Sequence, residues 1–141
     1  MKLYIKSATV PLSKIPMADR VDIAKDPDTS LDILEELANS KSMMVCRALA
    51  LNPNVTHEIL IKLFNKAEAK EDYVIAHNIS KNPNLNADLL DKYASSSHDV
   101  FRCVASYNKL TPIPTLKKLL KDKYDRVRSY AERTLRELGE I

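Results

Sequence analysis

Ala48-Leu49-Ala50-Leu51-Asn52-Pro53-Asn54-Val55-Thr56 is the stretch on which the fold turns. It starts as an apolar run, stops at an Asx-Pro pair, and ends on a residue suited to start a helix. The stop has a physical basis. An Asp or Asn side chain closes a turn on its own backbone, and the residue before a proline is pushed out of the helical region. The pattern of small residue, any residue, Asx, Pro recurs in Ala24-Lys25-Asp26-Pro27, in Ser80-Lys81-Asn82-Pro83 and, with Lys109 in place of proline, in Ser106-Tyr107-Asn108-Lys109. The markers fall at 27, 53, 83 and 109, in steps of 26, 30 and 26. A fixed period of this size signals a repeat architecture.

Between markers the apolar residues fall on two helical stripes. After each marker come Ile33, Leu34, Leu37 and Ala38; Ile59, Leu60, Leu63 and Phe64; Leu89, Leu90, Tyr93 and Ala94; Thr115, Leu116, Leu119 and Leu120. Before the next marker stand Met44, Val45, Ala48 and Leu49; Val74, Ile75, Asn78 and Ile79; Val100, Phe101, Val104 and Ala105. Spacings of one, three and four place each set on one face of a 3.6-residue helix. The first set defines a helix A and the second a helix B. Ser30, Thr56, Asn86 and Thr111 stand where a side-chain oxygen accepts from the free amides of helix A, and Pro112 suits its first position. Helices of about ten residues are marginal alone, so they depend on stacking against neighbouring repeats. The expected fold is all-α, an α-solenoid of short helix pairs. It opens with an incomplete repeat near residues 16–25, continues with pairs near 30–51, 56–81 and 86–107, and closes with a pair near 112–138 whose last helix is the longest and ends at Gly139. The four additional residues near 65–72 either lengthen a helix A or widen a loop. Residues 1–16 read as an extended N-terminal arm that covers the first helices or adds as a strand to a partner; residues 17–141 read as a single repeat domain.

Composition agrees with this frame. One glycine is present where average usage gives roughly ten, which excludes phosphate-binding loops and nucleophile elbows and disfavours tight hairpins. Cys46 and Cys103 lie in apolar periodic segments and read as buried hydrophobes in a reducing, cytoplasmic setting. No secretory leader or membrane span is expected.

Arg47 followed by Ala48-Leu49-Ala50-Leu51-Asn52-Pro53-Asn54-Val55-Thr56, together with Ile79-Ser80-Lys81-Asn82-Pro83-Asn84-Leu85-Asn86, resembles the leucine-rich repeat variant, close to HEAT-like repeats. Arg102 with Asn108 and Thr111-Pro112 is similar without the marker proline. Over residues 20–138 the resemblance implies a right-handed superhelix with the B helices near its concave face. The iron–sulfur cluster of one member does not carry over, since two separated cysteines do not make a four-thiolate set. Nor does the DNA-glycosylase site of HEAT-like enzymes, which uses tryptophans and an aspartate; this chain has no Trp. The opening Met1-Lys2-Leu3-Tyr4-Ile5-Lys6 is also similar to small accessory proteins of bacteria and phages.

Arg47, His77, Arg102 and Arg128 occupy nearly matching places in successive B helices and are expected to form a column. The column serves either as a partner-binding surface or as an internal ladder, each arginine bonding neighbouring carbonyls or the Asx side chains at 26, 52, 82 and 108. Residues 1–109 hold 14 basic and 14 acidic side chains, so the net charge of +3 comes from residues 110–141. There Lys117, Lys118, Lys121, Lys123 and Arg126 form a basic patch, with Tyr124 and Tyr130 the nearby aromatics, which reads as a solvated cap face or a nucleic-acid contact. Glu35 with Glu36, Asp88 with Asp91, and His98 with Asp99 look like solvated helix positions, and His57, His77 and His98 lack metal-ligand spacing. The expectation is a non-catalytic module, without metal, cofactor or small-molecule substrate, that binds another protein through the B-helix face or the arm. Nucleic-acid binding through the basic patch is the alternative.

Overall fold

The computed structural model describes residues 10–141, all-helical among those residues. The expectations for residues 1–9 lie outside them. Nearer the domain, the arm departs from an extended form: Leu12–Lys14 make a 3-10 turn and Ile15 is buried. Nine α-helices follow: α1 (Met17–Lys25), α2 (Leu31–Leu37), α3 (Met43–Ala50), α4 (His57–Lys70), α5 (Tyr73–Ser80), α6 (Ala87–Ala94), α7 (Asp99–Tyr107), α8 (Ile113–Leu119) and α9 (Asp125–Glu137). The even-numbered helices are the A helices. The odd-numbered ones are the B helices.

The B helices carry the contacts between repeats, α1 packing on α3, α3 on α5, α5 on α7 and α7 on α9, while each A helix packs on the B helix that follows it. Between the two rows runs one apolar core holding Leu34, Leu49, Leu60, Ile79, Leu90 and Phe101. At its centre Phe64, Tyr93 and Phe101 meet with ring centroids 4.8 to 6.0 Å apart. Burial pushes the Tyr93 hydroxyl well above the ordinary phenol range, and it donates to the Ala76 carbonyl at 2.5 Å.

The four additional residues lengthen a helix. The 14 residues of α4 make it longer than the 13 of α9, so the last helix is not the longest. Its end is made without glycine. Glu71 takes a left-handed conformation (φ 52°), and the Asp72 amide reaches back to the Ala67 carbonyl. Gly139 does the same work after α9, at φ 74°, with the Glu140 amide bonded to the Leu135 carbonyl.

Helix starts follow the expectation at two repeats of four. Thr56 and Asn86 accept from Ile59 and Leu89 amides, whereas Ser30 makes no side-chain cap bond. Thr111 is one position earlier than the cap. It belongs to a buried column with Thr29, Val55 and Leu85, and its hydroxyl donates to the Ala105 carbonyl as that of Thr29 does to Ile23. Pro112 is therefore the residue before α8 rather than its first.

Candidate interaction face

The Asx turns close as expected. Asp26, Asn52, Asn82 and Asn108 each accept from the amide two residues on, at 2.9 Å in all four. The amide ends of the asparagines do something that local reading misses. Asn52 Nδ2 donates to the Ala24 and Asp26 carbonyls, and Asn82 Nδ2 to those of Ala50 and Asn52, so each turn is stapled to the turn before it. The second asparagine of each Asn-Pro-Asn triplet adds a bond of its own. Asn54 donates to Pro27, and Asn84 to Pro53 and Val55. Asp26 needs only an acceptor to close its own turn, which a carboxylate supplies. In the last repeat Thr134 stands at the Asx position and donates to the Ser106 carbonyl at 2.7 Å.

The expected column of four basic residues splits in two. Arg47 and His77 lie six residues before their markers. Arg102 lies seven before its marker and Arg128 takes the same place, six residues before Thr134 as Arg102 is before Asn108, one helical step of 100° away. At the inner register the side chain serves the loop ahead of its own helix: Arg102 Nη1 donates to the Ser96 carbonyl at 2.9 Å, Arg128 donates to the Asp122 carbonyl, and Cys46 Sγ, in the same place, to that of Ser40. Arg102 also binds Asp122 at 2.7 Å, with both side chains about 10% exposed (10% and 9%). Asp122 is held below its ordinary range, because the Arg102 guanidinium and the Tyr124 amide outweigh the opposing effect of burial. Among the described residues none of Arg47, Arg102 and Arg128 bonds the Asx side chains at 26, 52, 82 or 108.

Arg47 reaches forward to Asp72, the residue that caps α5, with Nη2 to Oδ2 at 2.9 Å. Asp72 is only 4% exposed; burial would raise its carboxyl, but Arg47 and the Ile75 and Val74 amides bring it below the ordinary range. The Arg47 side chain itself stays 43% exposed, among the residues lining a groove. His77 is exposed.

That groove is the notable feature of the B row. It holds about 300 Å³ and runs over α1, α3 and α5, with Val21, Met44, Ala48 and Leu51 as its apolar lining and Lys25, Arg47 and Asn78 at its edges. Met44 and Val74, assigned by their spacing to the buried stripe, are 59% and 49% exposed. Their place, nine residues before the marker, is one step round the helix from the buried Val45 and Ile75. Asn78, the polar residue in that stripe, donates to the Arg47 carbonyl and so ties α5 to α3. Farther along the row Tyr107 is exposed and meets Tyr130 edge-on at 5.8 Å.

The A row has the opposite character. A cleft of about 510 Å³ between α2 and α4 is lined by Asp32, Glu35, Glu36 and Glu58, with Lys62 as its one cation. Toward the C-terminus, on α8, the loop after it and the start of α9, Lys117, Lys118, Lys121, Lys123 and Arg126 are all exposed, and Tyr124 is exposed under Arg102 and Lys123, each 5.4 Å from its ring centre.

The other candidate groups are tied into the frame. Asp91 accepts from Thr115 at 2.6 Å, and His98 Nε2 lies 3.1 Å from the Glu68 carbonyl. Cys46 and Cys103 are buried free thiols, both pushed up by burial, which is the reverse of an activated nucleophile. Among the described residues no three His, Cys, Asp or Glu side chains are grouped to hold a metal, and no helix is long and apolar enough to cross a membrane. Comparisons with protein-family models, curated proteins and solved structures find no match to this chain.

Proposed function

We propose that this chain is a non-catalytic α-solenoid, similar to the leucine-rich repeat variant and HEAT-like arrays, that binds another protein through the outer face of its B helices. The observation that carries the reading is the groove over α1, α3 and α5, where Met44 and Leu51 stay exposed beside helices whose inner faces are fully packed. Contiguous exposed apolar side chains rimmed by polar ones are characteristic of interaction surfaces. The repeat supports this by presenting one helix face several times over at a regular interval. The buried free thiols suit a reducing, cytoplasmic setting.

Affinity capture with the full chain, followed by mass spectrometry and nuclease treatment, tests the class of partner. A protein retained after nuclease digestion is the expected result; recovery of nucleic acid alone overturns it. The second reading, nucleic-acid binding, draws on the exposed Lys117, Lys118, Lys121, Lys123 and Arg126 beside the Tyr124 ring. Titration with duplex and single-stranded DNA at two salt concentrations decides it, since contacts to several phosphates give an affinity that falls steeply with salt.

A further inference from the structure

We infer that the partner segment taken by the B-helix groove is an acidic amphipathic helix, an inference that rests on the protein-binding reading above. The residues that face outward on α1, α3 and α5 supply two complementary features. Met44 on α3 and Leu51, the residue that caps its end, are seven residues apart, two turns and about 10 Å along the axis, which is the interval between the i and i+7 anchors of a helix laid alongside. Val21 and Ala48 floor the space between them. The ionisable groups on the same outward positions are unbalanced. Lys25, Arg47 and Lys81 are cationic and Asp22 is the one acid; His77 is also there. Lys25 and Lys81 hold no ion pair within 4.0 Å among the described residues, and Arg47 binds Asp72 through Nε and Nη2 alone while its side chain stays 43% exposed, so Nη1 is left for a partner. A segment with leucine-like anchors on one face and carboxylates flanking them meets both features. A basic segment meets the second with repulsion.

The test uses the full chain and a fluorescein-labelled helical peptide of about 18 residues, with leucines at i, i+4, i+7 and i+11 and glutamates between them. Control peptides replace every glutamate by lysine, or every leucine by serine; a single-stranded DNA of equal charge is the third control. The expected outcome is binding of the acidic leucine peptide with Kd on the order of 10–100 µM, weakened about tenfold or more by Lys25→Glu with Lys81→Glu and by Met44→Ser with Leu51→Ser, with Tm unchanged to within about one or two degrees. Equal binding of the lysine peptide, the serine peptide or the DNA overturns the inference. So does acidic-peptide binding that ignores both double variants, or no binding at all. Captured proteins lost from the Met44→Ser, Leu51→Ser variant while the acidic peptide fails to bind would overturn the acidic character alone. Captured proteins retained by that variant would overturn the protein-binding face itself.

Discussion

Asn82 and Val74 belong to the same helix and its stop, yet they are held in opposite ways. Asn82 is enclosed and spends its whole amide on α5's neighbours: its oxygen closes its own turn and its nitrogen bonds two carbonyls of the previous repeat. Val74, two turns earlier, stands half in solvent, as Met44 does at the matching position of α3. The junctions between repeats are therefore accounted for by folding. The outward face of the B helices is not, because exposed apolar groups add little to the stability of the monomer. Substitutions at the two places should separate stability from binding.

The largest effect is expected at the junction. Asn82→Leu leaves the Ala50 and Asn52 carbonyls without their buried donor and the Asn84 amide without its acceptor, and should destabilise by about 3–5 kcal/mol in urea unfolding. A loss below about 1 kcal/mol would show that the staple is replaceable by packing. Arg102→Met, which strands a largely enclosed Asp122 and unmakes the bond to Ser96, should cost about 3 kcal/mol. Met44→Ser with Leu51→Ser, by contrast, is expected to shift stability by no more than about 0.5–1 kcal/mol.

Acid separates the same two regions. Asp72 and Asp122 are held below the unfolded carboxylate value of 3.8. Their contribution is present in full above that value, and it is lost as pH falls through the lower folded-state range. Unfolding free energy should therefore drop by about 1–3 kcal/mol on acidification below pH ~4, and the drop should shrink in the Arg102→Met, Asp122→Asn double variant. An unchanged acid limb would mean that these pairs are not what acid breaks. The smallest effect is at the glycine-free helix end. Glu71→Gly relieves a left-handed residue and should stabilise by up to about 1 kcal/mol; a destabilisation would show that the Glu71 side chain matters more than its backbone.

Much of the frame was legible from residue spacing because helix periodicity and Asx-Pro stops are local signals. The four turns, the caps at Thr56 and Asn86 and the paired helices all came from stretches shorter than one repeat. What escaped was non-local or one step out of register. The partner of each asparagine amide lies 26 to 32 residues back; the choice of Asn over Asp at 52 and 82, with a second Asn two residues on, was the available sign. Treating six and seven residues before the marker as equivalent merged Arg47 with Arg102, although 100° of rotation separates a groove rim from an enclosed ion pair. Met44 and Val74 were placed inside for the same reason, since a two-residue-wide stripe does not say which of its edges meets the core.

The central claim is that the exposed B row, and not the acidic cleft between α2 and α4 on the A row, is the surface that takes a protein partner. Parallel affinity capture with the native chain, with Met44→Glu plus Val74→Glu, and with Glu35→Lys plus Glu36→Lys tests it most directly, each variant first shown to melt with the native chain to within about two degrees. The account predicts that the captured protein disappears with the Met44 and Val74 variant and persists with the Glu35 and Glu36 variant. Retention by the first, or loss with the second alone, would contradict it.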